Sequence, residues 1–172
     1  MSELADIVTA FVRGHEAWAI PIVFLLAFGE SLAFISLLIP ATVIMWGIGA
    51  LVGASGISFW PLWVAAGVGA GLGDWVSYWL GYHYHDQIAR MWPLNRHPQL
   101  LPRGHAFFEK WGIAGIFIGR FLGPLRAIVP LVAGACEMPR HQFQLANWSS
   151  AFIWSGWTLG AGAVGVTWLQ QL

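Results

Sequence analysis

Charge is scarce in this chain of 172 residues. Only 9% of its residues are Asp, Glu, Lys or Arg, against about 25% in a soluble globular domain. Because 58% of the residues are apolar and the formal net charge is zero, the composition excludes a disordered chain, a nucleic-acid-binding protein with a basic face and an ordinary cytosolic enzyme. It predicts a polytopic membrane protein.

Cysteine and catalytic motifs are also scarce. Cys136 is the single cysteine, which excludes an intramolecular disulfide and a thiol-based metal site. The sequence has no nucleophile elbow, no phosphate-binding loop and no His-Glu-x-x-His pattern. His83 and His85 lie two residues apart, a spacing that does not converge on one ligand on a helix. We therefore predict no enzyme activity, no cofactor and no metal site.

Four charges lie alone inside long apolar segments. The other twelve lie near the N-terminus, between His83 and Trp111, or at Glu137 and Arg140. An ionisable side chain at membrane depth costs at least about 2.5–3.5 kcal/mol and marks a functional site by default. We therefore take as the candidate site the four isolated charges Glu30, Asp74, Arg120 and Arg126.

The apolar segments are of two kinds. Residues 58–82 and 142–172 each have the length of one transmembrane helix, for which about 20 residues suffice. Residues 17–57 and 112–136 contain prolines, which remove a hydrogen bond and clash with the preceding helical turn. Each of these two segments is predicted to form two half-helices joined as a re-entrant hairpin. The predicted breaks lie at Pro40, Gly123, Pro124 and Pro130.

Two segments remain outside this pattern. Residues 1–16 are predicted to form an amphipathic segment on the membrane surface, because apolar residues recur there at helical spacing. Residues 83–111 form a polar loop that ends in a second amphipathic stretch. Its excess of arginine and lysine places the loop in the cytoplasm.

The order hairpin, span, loop, hairpin, span predicts an all-α membrane fold built as an inverted repeat. Paired broken helices in the two halves of such a repeat indicate a binding site near the bilayer midplane. Small residues spaced by four, such as Gly156 and Gly160, favour close packing of helices within the chain, with a homodimer as the lesser alternative.

The two arginines are the most informative pair. On an unbroken helix Arg120 and Arg126 would point about 240° apart, whereas the break at Gly123-Pro124 lets both converge. Arg126 is expected in the first turn of the second half-helix, where free N–H groups favour an anion. Two guanidinium groups add bidentate recognition of a phosphate. We therefore predict a site for an anionic lipid headgroup, because the lipid tails can remain in the hydrocarbon.

The two carboxylates have two possible roles. Glu30 and Asp74 can act as counter-ions of the arginines, and Glu30 can carry a proton, because an anion bound to the arginines would change its protonation. The alternative is that the four charges form only a buried salt-bridge cluster that holds the hairpins together. Buried ion pairs are poor net stabilisers, which favours the functional interpretation.

These residues resemble the DedA family of bacterial inner-membrane proteins, part of the wider VTT and SNARE-associated Golgi protein group. The resemblance covers nearly the whole chain. It rests on Phe28-x-Glu30 with Pro40, on Gly73-Asp74-x-x-x-Tyr78-x-x-Gly81, on Gly119-Arg120-Phe121-x-x-x-x-Arg126, and on Pro130, Ala133-Gly134, Met138, Phe143 and Trp154.

The resemblance implies two re-entrant hairpins that face each other and a role in moving lipids between leaflets. In DedA-like proteins this role includes recycling undecaprenyl phosphate, with dependence on the proton motive force. The functional residues of the family match Glu30, Arg120 and Arg126. Many members carry Pro-Gly-Glu or Pro-Gly-Asp after the first half-helix, whereas this chain has Pro40-Ala41-Thr42. Thr42 can help to bind a headgroup but cannot carry a proton, so either Asp74 replaces it or lipid movement is passive.

The sequence as a whole favours a flippase or scramblase for an anionic phospholipid, with undecaprenyl phosphate foremost, in the bacterial inner membrane. One alternative is a proton-coupled transporter of a small soluble anion, which needs a wider polar cavity. The other is a membrane scaffold that transports nothing.

Overall fold

The computed structural model describes residues 16–32, 41–55, 58–85, 87, 100–121, 126 and 128–169. The described residues form helices and no strands, which confirms the predicted all-α class. The six helices, in chain order, are α1 (Glu16–Ser31), α2 (Ala41–Ser55), α3 (Phe59–His83), α4 (Leu100–Phe121), α5 (Ile128–Ala135) and α6 (Arg140–Leu169).

Both segments with predicted breaks contain two helices. Helices α1 and α2 lie within or next to residues 17–57, and the second half of α4 together with α5 lies within residues 112–136. Pro40, Gly123 and Pro124, the residues to which the breaks were assigned, lie outside the described residues, as does the predicted amphipathic segment up to residue 15. Pro130 is the third residue of α5, in the first turn, where proline is tolerated.

Helix α4 contains a kink that was not predicted from the sequence. Gly112 has a φ of 47°, in the left-handed region that glycine adopts without steric strain. The kink separates an amphipathic part, residues 100–111, from the part that leads to Arg120. In the amphipathic part, Arg103 and Lys110 are exposed together with Phe107 and Trp111.

The predicted spans 58–82 and 142–172 correspond to α3, of 25 residues, and α6, of 30 residues. Within the described ranges, however, none of the helices is both long enough and apolar enough to cross a membrane. The transmembrane assignment of these two segments therefore stays a prediction.

The helices pack in a reciprocal pattern. Helix α1 packs on α3, the next long helix along the chain, and α4 packs on α6 in the same way. Helix α2 packs on α6 and α5 packs on α3, so that the second helix of each pair crosses to the long helix of the other half. The long helices α3 and α6 also contact each other, which places them at the centre of the fold.

Glycines bring the crossing helices into backbone contact. A Cβ added to Gly134 of α5 would lie 2.8 Å from the Tyr82 nitrogen of α3, and one added to Gly81 of α3 would lie 2.9 Å from the Ala135 nitrogen. Helices α2 and α6 are also in backbone contact, because a Cβ at Gly49 would meet the Leu159 backbone. Any side chain larger than hydrogen would separate these helices.

The core has two parts. One part joins α1, α2, α3 and α6 through small and medium apolar side chains that include Val23, Met45, Leu62 and Leu159. The other joins α3, α4, α5 and α6 around Tyr78, whose ring stacks on Phe143 at a centroid distance of 4.1 Å. The Tyr78 hydroxyl donates a hydrogen bond of 2.6 Å to the Met138 carbonyl, which satisfies this buried polar group.

Candidate functional site

The four isolated charges form two buried ion pairs. Arg120, near the end of α4, pairs with Asp74 in the middle of α3. Arg126, just before α5, pairs with Glu30 at the end of α1. All four side chains are buried or nearly so, with exposed fractions of 5%, 6%, 11% and 7% in that order. Each positive charge is therefore neutralised by a carboxylate from the other half of the chain.

Arg120 is held by more than its counter-ion. Its Nε donates to the Ser150 hydroxyl at 2.8 Å, and its Nη2 donates to the Asn147 side-chain oxygen at 2.7 Å. Nη2 also reaches the Asn147 carbonyl at 3.3 Å. Both partners lie on α6 and are fully buried. The guanidinium group thus links α3, α4 and α6.

The partners of Arg120 are themselves fixed. The Asn147 amide donates to the Gly71 carbonyl of α3 at 2.9 Å, and the Ser150 hydroxyl donates to the Asn147 carbonyl at 3.2 Å. Asp74 accepts a hydrogen bond from Nη2 of Arg120. The result is a closed network in which every member is hydrogen-bonded, the condition under which a buried polar network is stable.

Arg126 has a different environment. Its guanidinium carbon lies 4.4 Å from the centre of the Trp154 ring, a cation–π contact with a side chain that is 6% exposed. Among the described residues, its ion pair is with Glu30 and no carboxamide or hydroxyl group holds it as Asn147 and Ser150 hold Arg120. Arg126 is therefore the less constrained of the two arginines.

The two pairs lie close to each other. Arg120 donates to Ser150, and Arg126 lies on the ring of Trp154 one turn further along α6, so both arginines contact the same helix. Arg126 is in 3₁₀-helical conformation two residues before Ile128, the first residue of α5. Its place in the first turn of the second half-helix stays a prediction.

The remaining residues predicted for the site are only partly described. Thr42 lies in the first turn of α2, and its side chain is outside the described part of the structure. Pro130 is buried within α5, where it contributes to packing. The predicted breaks at Pro40, Gly123 and Pro124 lie outside the described residues.

Two cavities lined by described residues lie away from the four charges. One, of about 560 Å³, is an apolar groove on α6 between Gly156 and Gly165. The other, of about 350 Å³, lies between the amphipathic part of α4 and the turn before α6, and its lining includes His105, Glu109 and Glu137. Neither cavity is lined by Arg120 or Arg126.

The histidines do not form a metal site in the part of the chain that the structure describes. No group of three or more His, Cys, Asp or Glu side chains is arranged there to hold an ion. The Nδ1 atoms of His83 and His85 instead lie 3.0 Å and 3.3 Å from backbone carbonyls of the preceding helical turn.

Asn147 and Ser150 were not predicted from the sequence, and no role in the site was predicted for Trp154. A signal was present: the three residues recur at positions i, i+3 and i+7 in a segment without charge, which places them on one face of a helix. Since uncharged polar residues in an apolar helix are commonly satisfied by the helix itself, this spacing indicates a site only once the buried arginine is located beside it.

Comparisons with known proteins indicate a family for this chain. A profile of the VTT domain matches residues 39–164, which is most of the chain. No solved structure matches the chain.

Three relatives illustrate the similarity. The chain is 36% identical over 144 residues to the inner membrane protein YabI of Escherichia coli, covering 84% of this chain and 57% of YabI. It is 30% identical over 146 residues to the uncharacterized membrane protein BU139 of Buchnera aphidicola, covering 85% of this chain and 57% of that protein. It is 27% identical over 161 residues to the inner membrane protein YqjA of Escherichia coli, covering 88% of this chain and 72% of YqjA.

The chain spans slightly more than half the length of YabI and BU139. The profile match includes Asp74, Arg120 and Arg126. It begins after Glu30, at the residue before Pro40, and ends in the last turns of α6. The chain therefore belongs to the VTT-domain family of membrane proteins, the group of the DedA proteins that its motifs resemble.

Proposed function

We propose that this protein moves an anionic phospholipid, foremost undecaprenyl phosphate, between the leaflets of the bacterial inner membrane as a flippase or scramblase. The observation that carries the proposal is the buried ion pair between Arg126 and Glu30, which lies beside a second buried arginine. A guanidinium group that pairs with a carboxylate can also bind the anionic oxygens of a phosphate, and at membrane depth such a group marks a functional site.

The proposed mechanism is an exchange of anions at Arg126. The phosphate oxygens of a lipid headgroup replace the Glu30 carboxylate, and the guanidinium group stays on the Trp154 ring. Glu30, released from its counter-ion in a buried site, takes up a proton, because an isolated carboxylate is costly there. The charge of the site is then nearly unchanged, and headgroup binding is coupled to a proton.

Two further features support a membrane location for this exchange. Large apolar side chains are exposed along the described helices, as expected for a surface that faces lipid tails, including Trp18, Leu25, Trp60, Trp75, Leu145 and Trp157. The reciprocal packing of α1 and α4 on α3 and α6 is what an inverted repeat of two re-entrant hairpins would produce. On this proposal α3 and α6 span the bilayer, and residues 83–111 lie on the cytoplasmic side.

The decisive experiment is reconstitution into liposomes that contain labelled undecaprenyl phosphate or labelled ordinary phospholipids, with and without a pH gradient. The proposal predicts faster reorientation of the phosphate-bearing lipid than in protein-free liposomes. If no lipid reorients faster in the presence of the protein, the proposal is wrong.

Arg126→Ala is expected to slow this reorientation by about tenfold or more, because the charge-assisted hydrogen bonds to the phosphate are lost. The matched control is Arg140→Ala, which removes an exposed arginine whose guanidinium carbon lies 4.9 Å from the Tyr82 ring centre. Both variants lose one positive charge and one cation–π contact. Equal rates for the two variants would contradict the assignment of the headgroup to Arg126.

Glu30→Gln is expected to abolish the acceleration by a pH gradient, since an amide cannot exchange the proton. Movement without a gradient should persist, because the amide that replaces the carboxylate still offers an oxygen to Arg126 when no lipid is bound. Glu109→Gln, at an exposed position on α4, is the control and should retain the response to the gradient. Full gradient-dependent activity of Glu30→Gln would show that Glu30 is not the proton site.

One alternative function has a specific observation in its favour. The four charges pair off with each other, as they would in a scaffold whose ion pairs only hold the helices together. This alternative predicts that substituting either arginine lowers the stability of the protein. It predicts no loss of transport beyond what the lower stability explains. Measurements of stability and transport on Arg120 variants distinguish the two functions.

A further inference from the structure

The hydrogen bonds that Arg120 forms with described residues are unevenly distributed over its guanidinium group. They engage one edge, which consists of Nε and Nη2, through Ser150, Asn147 and Asp74. The other terminal nitrogen, Nη1, takes part in none of these bonds. A planar guanidinium group whose one edge is fixed has its remaining donors fixed in direction as well.

The residues that fix this edge are anchored to two helices. Asn147 accepts from Arg120 with its oxygen and donates with its nitrogen to the Gly71 carbonyl of α3, so its amide cannot turn without breaking both bonds. Ser150 accepts from Nε and donates to the Asn147 carbonyl. Both side chains are completely buried, so water cannot replace them from the surface.

We infer that Asn147 and Ser150 are positioning residues that hold Arg120 on Asp74 and direct its Nη1 toward the lipid phosphate bound at Arg126. This inference rests on the proposed function. It separates the roles of the two arginines: Arg126 exchanges Glu30 for the phosphate, whereas Arg120 keeps its counter-ion and supplies an oriented donor. The network of Asn147, Ser150, Asp74 and Arg120 therefore stays closed during transport.

The requirement for orientation follows from the charges involved. Asp74 is the counter-ion of Arg120, so an Arg120 side chain that turned freely could neutralise the incoming phosphate and abandon the carboxylate. Leaving a buried carboxylate without its partner is strongly unfavourable. A fixed edge prevents this outcome and makes Nη1 the donor that faces the ligand.

The test compares two neighbouring serines of α6. Ser150→Ala removes the acceptor of Arg120 Nε, whereas Ser149→Ala removes an exposed hydroxyl that bonds only carbonyls of its own helix, at 2.6 Å and 3.2 Å. Labelled undecaprenyl phosphate is titrated onto the detergent-solubilised full chain, and its reorientation is measured in liposomes over a range of lipid mole fractions. Ser150→Ala should raise the dissociation constant and the half-saturating mole fraction by about tenfold, and Ser149→Ala should change neither.

Asn147→Ala is the second variant. It removes one bond to Nη2 and the anchor to Gly71, and should raise the half-saturating mole fraction at least as much as Ser150→Ala. A purely structural role would reduce the amount of folded protein and leave the half-saturating mole fraction of the folded protein unchanged, which would overturn the inference. Should Asn147→Ala not fold, Ser150→Ala still decides the question.

The two measurements separate the inference from the proposed function. If the wild-type protein binds the lipid but moves none, the proposed function is wrong, and the binding titration still tests the positioning role. If Ser150→Ala binds and moves the lipid like the wild type, the inference is wrong and the proposed function is unaffected. If the wild type neither binds nor moves the lipid, both are overturned.

Discussion

Arg120→Ala is expected to destabilise the folded protein by about 3–5 kcal/mol, because removing one partner of a buried ion pair leaves the other without compensation. Asp74, with a side chain that is 6% exposed, would lose its counter-ion, and Asn147 and Ser150 would lose the donor that they share. The measurement is the free energy of unfolding in mixed detergent micelles. Arg103→Ala, at an exposed position on the same helix, is the control and should change it little.

A double variant extends this experiment. Asp74→Leu combined with Arg120→Met replaces the pair by apolar side chains. It should recover the part of the stability lost through the uncompensated carboxylate, while Asn147 and Ser150 still lack their donor. Under the proposed function this stable double variant does not move lipid. If instead it moves lipid at the wild-type rate, the pair has a structural role alone. If Arg120→Ala is as stable as the wild type, the pair is not buried as described.

Gly134→Ala is expected to destabilise the protein by about 3 kcal/mol, at the upper end of the range for an overfilled core. The added methyl group would overlap the Tyr78 carbonyl oxygen and lie 2.8 Å from the Tyr82 nitrogen. Both atoms belong to the backbone of α3, so neither can rotate away, and α5 has to shift. Gly81→Ala should behave similarly, because its methyl group would meet the Leu131 carbonyl of α5.

Gly160→Ala is the matched control for this prediction. Gly160 is also a helical glycine, but a Cβ at this position has no atom within 4 Å. The substitution should be neutral or stabilise the protein by up to about 1 kcal/mol, since alanine is the better helix former. The two variants are compared by unfolding in the same micelles. Equal stability of the Gly134 and Gly160 variants would contradict the close contact of α5 with α3.

The candidate site was predictable from the sequence in part, and charge was the reason. Glu30, Asp74, Arg120 and Arg126 are conspicuous because each is an isolated charge in an apolar segment, where an ionisable residue is costly. Which carboxylate pairs with which arginine was not predictable. The pairing depends on how α1 and α3 lie against the end of α4, and no spacing along the chain encodes that arrangement.

The helices were also predictable in part: their positions along the chain were, and their packing partners were not. Length, apolarity and the positions of proline indicate where helices begin and end, and the all-α class follows from them. The neighbours of each helix do not follow, because helices that are apolar on every side have no face that identifies the partner. The crossing of α5 to α3 is decided by glycines whose role appears only when Gly81 and Gly134 lie opposite each other.

The sequence by itself determined that four costly charges occupy apolar segments of a VTT-domain protein, because composition and position along the chain are enough to identify them. Tertiary structure alone decided that Arg120 is enclosed by Asn147 and Ser150, and that Arg126 lies on Trp154 beside Glu30. The physical reason is that hydrogen bonds and cation–π contacts depend on distances of a few ångströms between residues far apart in the chain. Those distances exist only after the helices have packed.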